Sequence, residues 1–258
     1  LRCTTKNGTT VIGTKTALLT IKVPAALTPT VGSVTLTEAA TGTIDTIGSY
    51  VQSKSKIKAE ITAVGSYGST IKSYSSTFEG KTYNGASFTT DTVTGSGTIR
   101  LRVNITDSRG RTSTQAKDIT VLAYNTPQIS TFHVARYNEK GAADPDGEYA
   151  WLQLAYSVTS LNGKNTASAV IQYKKTVDTN WTTLQTETAL SLNTTLKPTG
   201  TTFSTDYQWD FKVTLKDAFK AEAAYSTYIP SGDVILDIRA DGKGIAFFKT
   251  STKEGVDI

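Results

Sequence analysis

The chain has 258 residues, a formal net charge of +5 and only 19% charged residues. The single cysteine excludes a disulfide within the chain, and no hydrophobic run approaches the roughly 20 residues that cross a bilayer. The abundance of Thr, Tyr, Val and Ile favours β-sheets and excludes a helical bundle.

Residues 1 to 24 are predicted to be the C-terminal strands of a preceding β module. Lys6, Asn7 and Gly8 supply a hairpin turn between two short strands. The segment that begins at Ile21 recurs 98 residues later at Ile119, each time followed by a Thr-Pro pair. Because the sequence also contains no methionine, we expect it to be a portion of a longer protein.

Residues 25 to 125 are predicted to form an immunoglobulin-like (Ig-like) β-sandwich. Apolar residues at every second position put one face of a strand in the core and the other in solvent. Six or seven short strands separated by Gly, Ser and Asn turns are typical of Ig-like or fibronectin type III sandwiches. The predicted strands are 33–37, 56–64, 70–78, 86–90, 97–106 and 112–122. The module that ends at residue 24 is predicted to be Ig-like as well.

Residues 126 to 230 are predicted to form a fibronectin type III-like β-sandwich. Ile171 and Tyr173, followed by Trp181, resemble the middle hairpin of such domains. The alternating run 209–217 also repeats the run 99–107 at an offset of 110 residues, and both end at an aspartate. Repeats of this length indicate an array of small modules.

Residues 231 to 258 are predicted to form a β-hairpin that links to a following domain or makes an oligomer contact. The apolar runs 234–238 and 245–248 flank a tight-turn sequence at 241–244. An isolated hairpin is marginally stable in water, so this one needs a partner. The predicted fold class is therefore all-β, with tandem Ig-like and fibronectin type III-like β-sandwiches and a C-terminal β-hairpin extension.

The sequence offers no catalytic residues, cofactor site or metal site, and the protein is predicted not to be an enzyme. His133, the only histidine, is expected to be an exposed strand residue. The acidic run 144–148 lacks the remainder of a calcium loop and is predicted to be a β-turn. The basic residues form no cluster, so we expect neither nucleic-acid binding nor membrane insertion.

Two tryptophans are the candidate carbohydrate-binding residues. Trp151 is out of phase with the apolar face of its strand, and Trp181 lies next to a short loop, so either ring could stack on a sugar. The alternative is that Trp181 fills the edge of the core and Trp151 packs against a neighbouring module.

Three segments resemble tail proteins of long-tailed phages that infect Gram-positive bacteria. They are the segment 103–112 (VNITDSRGRT), the segment 235–247 with its LDI and DGKGIAF sequences, and the segment 3–15. The resemblance implies a structural component of the phage tail tip or fibre that contributes to host-cell attachment. It implies other tail proteins as partners, possible contact with host cell-wall polysaccharide, a homotrimer, assembly in the host cytoplasm and a place in the virion tail.

Two alternatives stay open at the level of sequence. A bacterial cell-surface Ig-like adhesin would need a secretion signal and an anchor. A carbohydrate-binding module of a wall-associated protein would need a catalytic domain elsewhere in the gene.

Overall fold

The computed structural model describes residues 1–20, 22, 24, 26–232, 236–238, 241–247 and 255–257. The chain forms two compact units. The first comprises residues 1–39, 56–91 and 98–119, and the second comprises residues 40–55, 92–97 and the described part of 120–258. The domain boundaries that the sequence suggested at residues 24, 125 and 230 stay predictions.

The described residues form one five-residue helix, and all their other regular elements are strands, which confirms the predicted all-β class. The helix is α1 (Thr43–Ile47). The strands are β1 (Arg2–Asn7), β2 (Thr10–Thr16), β3 (Thr30–Glu38), β4 (Tyr50–Val51), β5 (Lys56–Val64), β6 (Ile71–Phe78), β7 (Lys81–Asn84), β8 (Ser87–Thr92), β9 (Gly97–Asp107), β10 (Thr112–Leu122), β11 (Gln128–Tyr137), β12 (Tyr149–Ser157), β13 (Ala167–Lys175), β14 (Thr182–Glu187), β15 (Ser191–Leu196), β16 (Trp209–Asp217), β17 (Glu222–Ile229), β18 (Leu236–Ile238), β19 (Gly244–Phe247) and β20 (Gly255–Asp257).

The N-terminal hairpin consists of β1 and β2, which pair antiparallel. Gly8 lies in the predicted turn with a φ of 58°, a left-handed conformation that glycine adopts readily. Every residue of both strands is exposed. Ile21 and Val23, which carried part of the sequence repeat, lie outside the described residues.

The other strands of the first unit belong to two sheets, with the orders β3-β5-β8 and β10-β9-β6-β7. The alternation predicted from the sequence is present in both. Ile57, Ala59 and Ile61 of β5 are buried while the residues between them are exposed. Leu101 and Val103 of β9 are fully or almost fully buried in the same way. Each of these strands therefore has one core face and one outer face.

A turn built on Asp107 joins β9 to β10. The Oδ1 atom of Asp107 accepts hydrogen bonds from the backbone N–H groups of Arg109 (2.9 Å) and Arg111 (2.8 Å). The side chain of Arg109 donates to the carbonyls of Ser66 (2.9 Å) and Tyr67 (2.7 Å). The DSRGR segment thus folds its own turn and also holds the neighbouring loop.

The turn between β16 and β17 has the same backbone hydrogen bonds 110 residues later. The N–H of Asp107 donates to the carbonyl of Arg111, and the N–H of Asp217 donates to the carbonyl of Ala221. Each turn also contains one residue with a left-handed backbone conformation. It is Gly110 in the first turn, with a φ of 79°, and Lys220 in the second, with a φ of 60°. The repeat found in the sequence is therefore a repeat of turn geometry.

The second unit contains a β-sandwich of two sheets, β11-β12-β15 and β14-β13-β16-β17. One hydrophobic core cluster joins their inner faces. It includes Leu152 and Leu154 of β12, Ile171 of β13 and Phe211 of β16, all of them at most 1% exposed. Burial of these side chains supplies the main stabilising free energy of the sandwich.

A second cluster of the same unit joins residues 40–55 to the end of the sandwich. Ile44 and Ile47 of α1 are buried with Tyr124 and Leu161. The Tyr124 hydroxyl donates a hydrogen bond of 2.7 Å to Oδ2 of Asp217, and both side chains are buried. Burial and the adjacent Asp217 carboxylate raise the pKa of Tyr124, so the hydroxyl stays protonated and keeps donating.

The C-terminal elements contain the predicted hairpin. Strand β18 pairs antiparallel with β19, and β20 pairs with β19 in parallel. Gly242 lies in the connecting turn with a φ of 73°. Residues 234, 235 and 248 of the predicted hairpin lie outside the described residues. The predicted trimer contact of this segment stays a prediction.

Within the described ranges, no helix has the length and hydropathy that crossing a bilayer requires.

The first testable prediction concerns Asp107→Asn. Burial opposes ionisation of Asp107, but the backbone N–H groups of Arg111 and Arg109 prevail and hold its pKa below the ordinary value. Such a carboxyl stabilises the fold above its unfolded pKa of about 3.9, and this contribution is lost as the pH falls through the folded pKa. We expect the variant to have a lower free energy of unfolding at pH 7, with the deficit shrinking below about pH 4.

Urea denaturation at pH 7 and pH 3 measures this effect. Asp118→Asn serves as the control, because Asp118 forms an exposed ion pair with Arg100 and should change stability little at either pH. An equal deficit of Asp107→Asn at both pH values would contradict the assigned role of the carboxylate.

The second prediction concerns Tyr124→Phe. The substitution leaves a buried oxygen of Asp217 without its donor, so we expect the free energy of unfolding to fall by about 1–3 kcal/mol. Tyr156→Phe is the matched control, since the Tyr156 hydroxyl donates to the neutral carbonyl of Ala189 and its loss should cost about 1 kcal/mol. Urea denaturation compares the two, and an equal or smaller loss for Tyr124→Phe would contradict the prediction.

Candidate functional site

The outer face of the sheet β14-β13-β16-β17 carries the candidate site. Along β16, Trp209, Phe211, Val213 and Leu215 point into the core and are at most 9% exposed. The residues between them point outward; Asp210, Lys212 and Thr214 are partly buried, and Lys216 is exposed. This face is polar and lies beside solvent.

The strand register brings distant residues into rows on this face. Asp210 pairs with Lys174 on one side and with Tyr228 on the other. The next row, two residues along β16, joins Lys212 to two uncharged polar residues, Gln172 and Ser226. A further row joins Lys216 to Ser168 and Glu222.

Trp181 lies at one end of this face, in the residue before β14. Its ring centroid is 4.5 Å from the Nζ atom of Lys212 and 5.5 Å from that of Lys174. These are cation–π contacts, and they hold the indole over the sheet. The side chain is partly buried. The ring borders the sheet and also lines a recess, and sugar binding by Trp181 stays a prediction.

That recess has a volume of about 240 Å³. Its lining residues are Trp181, Asp210, Ser226, Thr227 and Tyr228. Two aromatic rings thus border a small space that also contains a carboxylate and hydroxyl groups. A concave site with aromatic walls and a few polar groups is the usual form of a small-ligand site.

A second recess of about 380 Å³ lies farther along the same face. Its lining includes Gln172, Lys212, Thr214, Lys216 and Glu222. Lys212 lines this second recess, and its row is adjacent to the row of Asp210, which lines the first recess. The two spaces therefore lie one after the other on a single sheet face.

The carboxylate in the first recess is held firmly. Oδ1 of Asp210 accepts a hydrogen bond of 2.8 Å from the Thr176 hydroxyl, and Oδ2 lies 3.7 Å from Nζ of Lys174. Nζ of Lys216 lies 2.9 Å from a carboxylate oxygen of Glu222. No carboxylate of the described residues forms a salt bridge with Lys212.

Trp151 lies on the outer face of the other sheet, so the structure does not bring the two candidate tryptophans together. Its ring stacks on Tyr137, with centroids 4.1 Å apart, and Nζ of Lys197 lies 3.9 Å from its centroid. A stacked ring fills one face of the indole, so the ammonium covers the other. A Cβ atom added at Gly141 would lie only 2.9 Å from the indole, which shows how closely the adjacent turn packs on it.

The remaining candidates of the sequence are strand and turn residues, and His133, Asp144 and Asp146 line a separate recess of about 980 Å³. His133 is exposed on β11, as expected. The N–H of Gly147 donates to the carbonyl of Asp144, and the Asp144 side chain accepts from the N–H of Asp146, so the acidic run forms the predicted turn. Over the described part of the chain, no group of three or more His, Cys, Asp or Glu residues is placed to hold a metal ion.

Arg136, which the sequence did not single out, is a buried structural residue. Its guanidinium donates to five backbone carbonyls at 2.7–3.4 Å, those of Gly147, Phe203, Ser204, Tyr207 and Pro230. Arg136 is only 5% exposed and occupies a position of β11 that faces the core. In the sequence, its only sign is a charged residue where the alternation of Phe132 and Val134 predicts an apolar one.

A comparison with protein families gives one match. The family model is described as a siphovirus protein of unknown function (DUF859), and the match extends over residues 1–258. The match confirms the resemblance to proteins of long-tailed phages. It does not identify a tail-tip or fibre protein. A comparison with curated proteins finds no match.

Several solved structures are similar at low identity. One is a carbohydrate-binding module from a β-sandwich superfamily, with 12% identity and a TM-score of 0.30, covering 79% of this chain and 96% of that chain. Another contains three N-terminal domains of the highly immunogenic outer capsid protein (Hoc) of bacteriophage RB49, with 11% identity and a TM-score of 0.37, covering 87% of this chain and 70% of that chain.

A third similar structure contains the FN1-FN3 domains of chicken CNTN1, with 10% identity and a TM-score of 0.26, covering 71% of this chain and 65% of that chain. Likenesses of this size carry no argument about function, which therefore depends on the residues of the chain itself.

The third testable prediction compares the contributions of a core tryptophan and of Trp181 to the stability of the fold. We expect Trp209→Ala to lower the free energy of unfolding by about 3–5 kcal/mol, because Trp209 is buried against Phe203 and Tyr173. Trp181→Ala should cost only about 1 kcal/mol, since it removes cation–π contacts at the surface. Urea denaturation measures both. A loss for Trp181→Ala as large as that for Trp209→Ala would make Trp181 a core residue.

Proposed function

Because this chain belongs to a family of siphovirus proteins, we propose that it is a non-enzymatic structural component of the phage tail tip or fibre that contributes to host-cell attachment. The proposal includes a place in the virion tail, other tail proteins as partners, and assembly as a homotrimer in the host cytoplasm. The single observation that carries attachment is the recess between Trp181 and Tyr228 on the outer face of β14-β13-β16-β17.

The chemistry of this recess suits a sugar. A sugar ring has an apolar face that an aromatic side chain can cover and a rim of hydroxyls that need hydrogen-bond partners. The Trp181 indole and the Tyr228 ring supply apolar walls, and Asp210 and Ser226 supply an acceptor and a hydroxyl. Host cell-wall polysaccharide is therefore the proposed ligand.

Trp181 is the stronger of the two proposed sugar-binding residues. It borders an open recess, whereas a sugar could reach the indole of Trp151 only if Lys197 moved away from the ring. We therefore propose Trp151 as a secondary contact at most, and expect its main role to be packing against Tyr137.

The absence of catalysis is part of the proposal. Nucleophilic and metal-assisted hydrolysis need an activating base or a bound metal ion. The one histidine, His133, lies on an exposed strand, outside both recesses on the proposed face. Wall fragments released by the purified protein would contradict this part of the proposal.

The fourth prediction tests the recess. We expect Tyr228→Ala and Trp181→Ala each to weaken binding to isolated cell walls of the host at least tenfold, which corresponds to about 1.4 kcal/mol. Tyr225→Ala is the matched control, because Tyr225 is similarly exposed on the same strand (53% against 59%) but lies opposite Val213 in an inward-facing row. Wall pull-down with the purified 258-residue chain measures binding.

Equal binding of all three variants would overturn the role of the recess. The place of the protein in the virion is tested separately. Gold-labelled antibodies against the chain should mark the tail tip in electron micrographs of purified phage, and a label confined to the head or an unlabelled virion would overturn the proposed location.

A further inference from the structure

The two recesses on the outer face of β14-β13-β16-β17 follow one another along β16. The rows centred on Asp210 and Lys216 are six residues apart along β16, and a strand advances about 3.3 Å per residue. The face between these rows is therefore roughly 20 Å long. A chain of several linked sugars could lie along it, with one end beside Trp181 and the other beside Glu222.

Not every lysine on this face has a carboxylate partner. Three lysines and two carboxylates lie on it, and two of the lysines, Lys174 and Lys216, each have a carboxylate partner. Lys212 has no salt-bridge partner within the described residues, although it is partly buried. A partly buried cation without a counterion gains more from a bound anion than a fully solvated one does, because part of its hydration is already lost.

The position of Lys212 connects this charge to the aromatic wall. Its Nζ atom lies 4.5 Å from the ring centroid of Trp181, and its row neighbours are Gln172 and Ser226. Neither neighbour carries a charge that would repel an anion, and both can donate hydrogen bonds. A ligand that stacks on the indole can therefore place a negative group on Lys212 at the same time.

We propose that this face binds an anionic glycan, with Lys212 pairing with a carboxylate or phosphate carried by the sugar chain next to the unit that stacks on Trp181. The inference rests on the proposed function, in that it assigns a ligand class to the same face. It adds that charge, and not only the shape of a sugar ring, determines which glycans bind.

The fifth prediction uses a matched pair of soluble probes, oligogalacturonate and its methyl ester, which differ in charge but share one sugar backbone. We expect the 258-residue chain to bind oligogalacturonate at least tenfold more tightly than the ester in isothermal titration calorimetry. The difference should shrink as sodium chloride is raised from about 0.05 to 0.5 M, because salt screens exposed charges.

Lys212→Gln should abolish the preference for the charged probe. Lys164→Gln is the control, since it makes the same change of charge at an exposed loop residue that lines neither recess, and it should keep the preference. Equal affinity of the wild type for both probes, or an equal effect of the two substitutions, would overturn the inference.

Wall pull-down with the same variants separates this inference from the proposed function. Binding of oligogalacturonate without binding to host walls would support the anionic site and overturn attachment through this face. Wall binding that Trp181→Ala abolishes and Lys212→Gln leaves unchanged would support attachment and overturn the requirement for an anion.

Discussion

The alternation of apolar and polar residues along β16 is the constraint on which both the core and the candidate site depend. Phe211, Val213 and Leu215 are fully buried, and they fix which face of the sheet points inward. Lys212 then has to point outward, because neighbouring side chains of a strand lie on opposite faces. A shift of one residue in register would bury the lysine and expose the core, so the free energy of the core also holds the site in place.

The features that follow from local sequence were predicted well. Strands β5 and β10 have the predicted bounds, and the 110-residue repeat corresponds to two turns with the same backbone hydrogen bonds around Asp107 and Asp217. Period-two alternation and turn residues act over a few positions, so the sequence carries them directly. The strands β7 and β15 were not predicted, because most of their residues are Thr, Ser, Asn and Lys, and Tyr83, Leu192 and Leu196 alone give only a weak apolar signal.

The features that depend on pairing between distant strands could not be predicted. The row formed by Lys174, Asp210 and Tyr228 joins residues 36 and 18 positions apart, and only the register of β13, β16 and β17 shows that they are neighbours. From the sequence, Trp181 and Trp151 were equally good candidates for sugar binding. Their different surroundings follow from Lys212 under one ring and from Tyr137 against the other, and no local pattern contains that information.

A binding face built on a sheet has a physical advantage for attachment. The hydrogen-bonded ladder already fixes the backbone of Asp210, Lys212 and Tyr228, so a ligand does not have to order them. Contacts of Lys174 and Thr176 with Asp210 restrict that side chain further. For the proposed attachment to a repeating polymer, each contact can then be weak, because several copies of the face that bind one polymer together have an avidity greater than any single affinity. Binding of this kind depends more on binding residues held at fixed distances than on a deep pocket. The sheet of a β-sandwich holds its outward-facing residues at fixed distances.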